Sequence, residues 1–596
     1  LRYDSKKWGS STIQVLGPAG VFQTNLDRKR RSTYHPGADG STDFDTRPFM
    51  EEPVIGPTTS EAAGRFRRLC VDGALLAILL LLAALIHGWT IAHTEVAARD
   101  SIAFIRYAWK LEHEPLVHVL KTSLHPPLYP MTVLAVSGPV RHFVHGPETL
   151  VMQYSAQIAG TLAGLLLILP MYFVGKELFD RRVGFGSALL FQCLPVGSRA
   201  LSDGLTEGLF LLLLATGFLA ALYAFRRGSP ALFSLIGLCG GLAYLTRPEG
   251  AMLVAATGLV LLAYRGLPVG ARRKCLASLA GTALLVSVPY MATIGGVTNK
   301  TTGNWLMHWF EKPAHAAESA TAVRSSLQKT PALYAALAPD WKEFNHTAKL
   351  NWSVLALVQE SLKSFHYVAW FPALLALWWF RGRWRTEPGI RVMLVLCGLH
   401  VLLLLRVGVV AGYISERHTL ILVMCGCPWA IAGLREIPRR MTALGEWLSF
   451  PPRMTSWWGY GRAVEVGLIA LVIASGLPSS LKPLHSHRAG HRAAGIWLAE
   501  HAHPWDKVLD PFCWAHFYAG RVFCEGQEDP VPLGETAVRY VVMDTVNRHA
   551  RLPLMDDAWR NIPKGTICFE WPAPSTGKPS TVQVYEVPLP ATVAAQ

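Results

Sequence analysis

The chain has 596 residues, of which 51% are hydrophobic and only 16% charged. Soluble domains carry about 25% charged residues, and a soluble chain of this length would alternate amphipathic elements instead of long apolar runs. The formal charge of +15 sits mostly in short basic clusters between apolar runs, the pattern of cytoplasmic loops in a membrane protein and not of a nucleic-acid surface.

Residues 1–68 are rich in Ser, Thr, Gly, Pro and charge, with few large apolar side chains between Thr33 and Gly56. That composition predicts a disordered tail. Arg65, Arg67 and Arg68 precede the first apolar run, near 72–91, and place the N-terminal side in the cytoplasm. Further spans are expected near 151–174, 184–200, 205–225, 231–246, 251–264, 275–292, 366–380, 392–410, 419–434 and 464–478, making eleven. Several are shorter than the roughly 20 residues that cross a bilayer upright. Each loop then assigned to the inside is basic: Lys176 to Arg182, Arg226 and Arg227, Arg265 to Lys274, Arg381 to Arg391, and Arg435 to Arg462. Omitting one span would invert every later loop.

Three regions fall outside. Residues 92–150 contain helical stretches at 100–112 and 127–138, apt to lie at the membrane surface. Residues 293–365 form a long outer loop bearing Trp and Tyr, side chains suited to an interface. Residues 479–596 read as a small α/β domain: HRAAGIWLAEH as a helix, with KVLD, VRYVVMD, GTICFEW and TVQVYEVP as strands. The ten cysteines include no ligand-like CxxC pair. Cys425 and Cys427 read as small packing residues in an apolar run. Cys513 and Cys524 fall in the C-terminal domain, where an oxidising compartment would permit a disulfide that spacing alone does not establish.

Ionisable groups at the edge of a membrane bundle are costly unless paired or wetted, which makes them functional candidates. Five polar clusters fall on the outer face: Arg99-Asp100, His125-Pro126-Pro127, Ser202-Asp203 with Glu207, Arg247-Pro248-Glu249, and Glu416-Arg417-His418. Five loops offering such groups to one face predict one shared polar cavity. Each cluster also has a plain structural reading. Asp100 is a good N-cap for the helix after it. His125 marks a turn beside two prolines. Asp203 and Glu207, four apart, would share a helix face, and either could pair with Arg199 or a distant arginine. Arg247 and Glu249 could form an internal ion pair, and Arg417 could be an interfacial charge. Walker A and HExxH motifs are absent, as is GxGxxG in a strand–turn–helix setting, so nothing points to an ATP-driven pump. Inverted repeats of a transporter are not evident.

At these residues the sequence resembles the lipid-dependent glycosyltransferases of the GT-C superfamily, in particular the bacterial family 39 branch related to protein O-mannosyltransferases and to the lipid A aminoarabinose transferase. The resemblance rests on ARDSIAFIRYAWKLE, HPPLYPMTVLA, SRALSDGLTEGLFLLL, YLTRPEG and YISERHTLILV, and covers roughly residues 70–480. It implies a polytopic α-helical GT-C membrane domain over 69–478 and an extracytoplasmic α/β domain over 479–596, in the bacterial cytoplasmic membrane. It implies a sugar donor on polyprenyl phosphate, membrane lipid as partner, and an acceptor hydroxyl on a lipid, glycan or protein. The family's acid of the first outer loop maps onto Asp100. Ser101 stands where protein mannosyltransferases carry the second acid of an Asp-Glu pair, a departure that bears on the acceptor. Asp100 would take or orient the acceptor proton, with inversion at C1. Arg247, Arg417 and His418 would stabilise the leaving phosphate; His125, Asp203, Glu207, Glu249 and Glu416 would contact substrate. No cofactor beyond the donor is implied, and dependence on a divalent metal is left open. A transporter or flippase for a lipid-linked or polar substrate is the competing class, followed by a non-catalytic scaffold.

Overall fold

A computed structural model describes residues 59–299, 346–447, 461–503, 506–523, 538–546, 554–577 and 579–588. Eleven helices fill the first stretch: α1 Thr59–Ala92, α2 Arg99–His113, α3 Leu116–Thr122, α4 Leu128–Phe143, α5 Glu148–Leu178, α6 Arg181–Cys193, α7 Pro195–Ser202, α8 Glu207–Arg227, α9 Pro230–Thr246, α10 Ala251–Ala263 and α11 Val269–Ile294. The main later helices are His346–Ser364, Trp370–Trp379, Pro388–Ala411, Leu420–Trp447, Gly461–Ser480 and Ala489–His501. The described residues from Gly64 onward form one compact unit.

The expectation of eleven full spans is corrected. Among the described residues seven helices are long and apolar enough to cross a membrane. Three expected spans are apolar helices too short for an upright crossing: Pro230–Thr246, Pro248–Ala263 and Trp370–Trp379. The run expected at 184–200 is broken, because Leu194 adopts extended dihedrals and Pro195 starts a new helix. Proline is well placed at a first helical turn but cannot continue a helix without losing a hydrogen bond. Helicity also begins at Thr59, inside the stretch read as a disordered tail. The outer loop expected at 293–365 contains the helix His346–Ser364, which packs along Pro388–Ala411; residues 300–345 lie outside the described residues, as does Cys524.

The bundle is held by close helix approach and by partly buried ion pairs. α5 meets α6 where Gly175 faces Gly184; a Cβ on Gly175 would lie 2.7 Å from the Gly184 Cα. Small residues permit this approach where lipid supplies no hydrophobic drive between helices. Asp72 on α1 receives Lys176 Nζ and Arg181 Nε, each at 2.7 Å, and the Tyr172 hydroxyl at 2.6 Å. Arg435 joins Asp180 and Glu465, each at 2.6 Å. Several of the basic residues that mark the inner loops therefore also tie helices together.

The C-terminal region follows the sequence reading closely. Strands β1 Lys507–Leu509, β2 Val538–Asp544, β3 Thr566–Trp571 and β4 Val582–Glu586 form one sheet in the order β1-β2-β4-β3. The β1–β2 pair is parallel, and β4 runs antiparallel to β2 and β3. Alternation along β2 serves two cores. Tyr540 and Val542 pack with Ala494 and Leu498 of the covering helix. Val541 and Met543 belong to a second core shared with Ile102, Ile105, Tyr129 and Met152. With a side-chain period of two, one strand can bury both faces. The sheet is thereby fastened onto α2, α4 and α5, and the 92–150 and 479–596 regions lie at one end of the bundle.

Candidate active site

Five separate chain segments converge on one cavity of about 260 Å³. Asp100 enters from the first turn of α2. It is not the N-cap; Ala98 is, and no side chain caps that helix. The simple capping explanation for Asp100 is therefore removed. His125 enters from the turn before α4, with its ring edge-on to Phe104 at 4.8 Å. Glu207 opens α8. Arg247 and Glu249 occupy the break between α9 and α10, where the RPEG string cannot extend the helix. Arg417 and His418 lie on the short 3-10 turn Glu416–Thr419. All seven line the cavity.

Two arginines organise the carboxylates. Arg417 Nη2 donates to Asp100 Oδ2 at 2.5 Å, and its Nε lies 3.9 Å from Glu207 Oε1. Arg247 Nη1 donates to Glu207 Oε1 at 3.0 Å, and its Nη2 lies 3.5 Å from Glu249 Oε1. The Arg247 guanidinium also stacks over Phe210, 5.5 Å from the ring centroid. Among the described residues Arg247 Nε is buried without a hydrogen-bond partner, so one directed donor is left for a ligand. Burial pushes the Asp100 carboxyl upward, but the charge and hydrogen bond of Arg417, followed by His125 and Arg99, hold it below the usual carboxylate range.

His418 is fixed by its own backbone neighbourhood. The Ser415 N–H donates to His418 Nδ1 at 3.2 Å, which assigns the remaining proton of a neutral ring to Nε2. The His418 carbonyl accepts from His400 Nε2 at 2.8 Å. Phe210, Leu211, Leu403, Leu404, Val407 and Ile421 supply apolar surface to the same cavity. A ligand with an anionic head and a hydrocarbon tail matches both surfaces.

Two expected site residues lie elsewhere. Asp203 is the C-cap of α7, Glu207 begins α8, and Gly204 between them has φ +68°. The helix face expected to carry both acids does not exist, because this left-handed turn, easy only for glycine, interrupts it. Asp203 instead meets His485, at 2.9 Å and 3.0 Å from its two oxygens, and not Arg199. Glu416 is exposed and does not line the cavity. Sequence reasoning missed Thr206, His400 and Tyr413, all of which line it. His400 carried a usable signal, being an ionisable side chain in the apolar run VMLVLCGLHVLLLL. Among the described residues, no group of three or more His, Cys, Asp or Glu is arranged to hold a metal ion.

The fold has solved counterparts. The crystal structure of ArnT from Cupriavidus metallidurans bound to undecaprenyl phosphate aligns over 85% of this chain and 97% of that one, at 14% identity and a TM-score of 0.51. The apo form of the same protein aligns over the same shares at 12% identity and a TM-score of 0.51. The Archaeoglobus fulgidus oligosaccharyltransferase in its apo form covers 83% of this chain and 73% of that chain, at 13% identity and a TM-score of 0.48. A family model described as dolichyl-phosphate-mannose-protein mannosyltransferase matches residues 151–292, a segment that includes Glu207, Arg247 and Glu249 but neither Asp100 nor Arg417. No curated protein sequence matches the chain. At these identities the likeness is one of architecture: this polytopic helical chain shares its fold with the solved ArnT structures.

Proposed function

We propose that the protein is a glycosyltransferase that moves a sugar from a polyprenyl-phosphate donor to an acceptor hydroxyl at the outer face of the membrane. The observation that carries this reading is the cavity itself. Its lining combines three carboxylates and two guanidinium groups with apolar side chains from membrane helices. A phosphodiester with a long hydrocarbon tail satisfies both.

In the reaction, the acceptor hydroxyl attacks C1 of the sugar while Asp100 takes its proton. The bond from C1 to the phosphate oxygen breaks, and the lipid leaves as its monophosphate. That leaving group is already an anion, so it needs positive charge and not a proton. Arg417 and Arg247 supply it, and Arg guanidinium suits phosphate through its planar fork of donors. A single displacement inverts the anomeric centre; retention would require a second carboxylate as nucleophile close to C1. The ion pair of Asp100 and Arg417 is the resting arrangement of this chemistry. An incoming phosphate competes for Arg417, and Asp100 gains proton affinity as the guanidinium turns away.

The test is transfer by detergent-purified, monodisperse protein from a radiolabelled polyprenyl-phosphate sugar. Asp100→Asn keeps shape and hydrogen bonding but cannot act as a base. Turnover should fall by roughly 10²–10⁴-fold, the scale of a positioned proton acceptor. Near-normal transfer by this variant would remove Asp100 from the chemistry. A carrier for a lipid-linked substrate would instead leave the bond from sugar to phosphate intact in every variant.

A further inference from the structure

The helix that carries Asp100 starts without a side-chain cap. An uncapped start leaves N–H groups unsatisfied and the entering chain free to shift unless something else holds it. Here the entering chain is held from the far end of the sequence. The Trp514 indole Nε1–H donates to the Ala97 carbonyl at 2.9 Å. The Ala97 N–H donates to Tyr518 Oη at 2.8 Å, and that hydroxyl donates to Gln153 Oε1 on α5 at 2.8 Å. Both backbone polar groups of Ala97, three residues before Asp100, are thus satisfied by one short helix, Trp514–Tyr518.

The surroundings make these bonds hard to replace. Ala97, Ala98, Trp514 and Tyr518 are all buried, so water is not at hand to substitute, and a buried polar group without a partner is destabilising. Arg99 adds a longer contact to the Pro511 carbonyl at 3.4 Å. On the opposite side Gly204 presses against the first turn of α2; a Cβ there would lie 2.5 Å from Ser101 Oγ. The start of α2 is therefore clamped between the C-terminal domain and the turn between α7 and α8.

We propose that Trp514 and Tyr518 are positioning residues for Asp100, through which the C-terminal domain completes the active site without touching the sugar. This rests on the reading of Asp100 as the base. A catalytic group must be held within about 0.5 Å of its productive place, and a shift of about 1 Å can lower a rate about 10²-fold. The grip on Ala97 acts on backbone, so a small loosening is transmitted directly to the carboxylate one turn on.

The experiment uses full-length, detergent-purified protein with Tyr518→Phe, which removes only the hydroxyl, and Trp514→Phe, which removes the indole donor while keeping a ring. Each should lower kcat by about tenfold, within the range that misplacement produces, while the donor KM changes by less than about twofold. The same substitutions are then made in Asp100→Asn protein. If they act through Asp100, they should change its residual turnover by less than about twofold, since coupled residues are not additive. Equal losses in both backgrounds would identify a general structural role and overturn the proposal. So would unchanged kcat in both single variants. Near-normal turnover of Asp100→Asn alone would overturn the assignment of the base itself, an outcome visible without either aromatic variant.

Discussion

Two sets of ion pairs use the same chemistry for different ends. At one end of the bundle Asp72 is surrounded by Lys176, Arg181 and Tyr172, and Arg435 bridges Asp180 and Glu465. None of these groups lines the polar cavity. At the other end Asp100, Glu207 and Glu249 share two arginines around open space. The first set joins helix to helix, with acid and base on neighbouring elements and little room between. The second keeps its charges poised along a wall that a ligand can reach. A charged pair in a membrane protein is thus no guide to function by itself; what matters is whether its groups border a cavity.

The comparison can be broken most directly by removing one acid from each set. Asp100→Asn should abolish most transfer while thermal stability in detergent stays close to that of the parent. Asp72→Asn should do the reverse. Breaking one side of a buried pair costs about 3–5 kcal/mol, and the Asp72 side chain is only 8% exposed. Its thermal midpoint should fall, while folded protein that survives purification should turn over normally. Equal stability losses in the two variants would erase the distinction drawn here.

A smaller effect is expected at the arginines. Arg247→Ala and Arg417→Ala should each raise the donor KM and lower kcat, because phosphate is held in the ground state and carries more charge on leaving. Lysine should restore activity only in part, since a point charge cannot reproduce the guanidinium fork. Full activity of both alanine variants in a donor-turnover assay would refute the phosphate assignment.

A shift in pH profile sharpens the picture further. Arg417 holds Asp100 below its ordinary range, so the free protein keeps the base ionised well into acid. The acid limb of kcat/KM, which reports the free enzyme, should lie below the value of about 3.9 usual for Asp. In Arg417→Gln the effect of burial remains without its main counterweight, so the limb should move to higher pH. A limb that stays in place would mean that another group controls it.

The smallest expected effect is at Asp203. Its oxygens are engaged by His485 at the junction between the last long helix and the C-terminal domain. Asp203→Asn should lower stability modestly and leave the donor KM unchanged. A large rise in donor or acceptor KM would return Asp203 to the substrate contacts that the sequence suggests.

How much of this was legible in sequence differs between elements. The strands and helix of the C-terminal domain were readable because period-two alternation, as in VRYVVMD, and turn residues are local signals. The long apolar runs were equally plain. The short apolar helices Pro230–Thr246, Ala251–Ala263 and Trp370–Trp379 fall close to the expected runs, but hydropathy did not report their insufficient length as spans, and the cut at Pro195 was passed over although the proline itself marks it. The helix His346–Ser364 went unseen because its composition is mixed and its packing against Pro388–Ala411 supplies its stability.

The sequence alone determined a polytopic chain with basic loops, an α/β region after the last long apolar helix, and a set of ionisable groups confined to a few breaks between apolar runs. Tertiary structure alone decided which of those groups meet. Asp203 and Glu207 are four residues apart, yet Gly204 turns the chain and sends one to His485 and the other to Arg247. Asp100 and Arg417 are 317 positions apart, yet they touch. Hydrophobicity and helical period are properties of neighbours along the chain, so sequence reports them. Ion pairing depends on where breaks and turns carry each loop in space, and no local pattern encodes that.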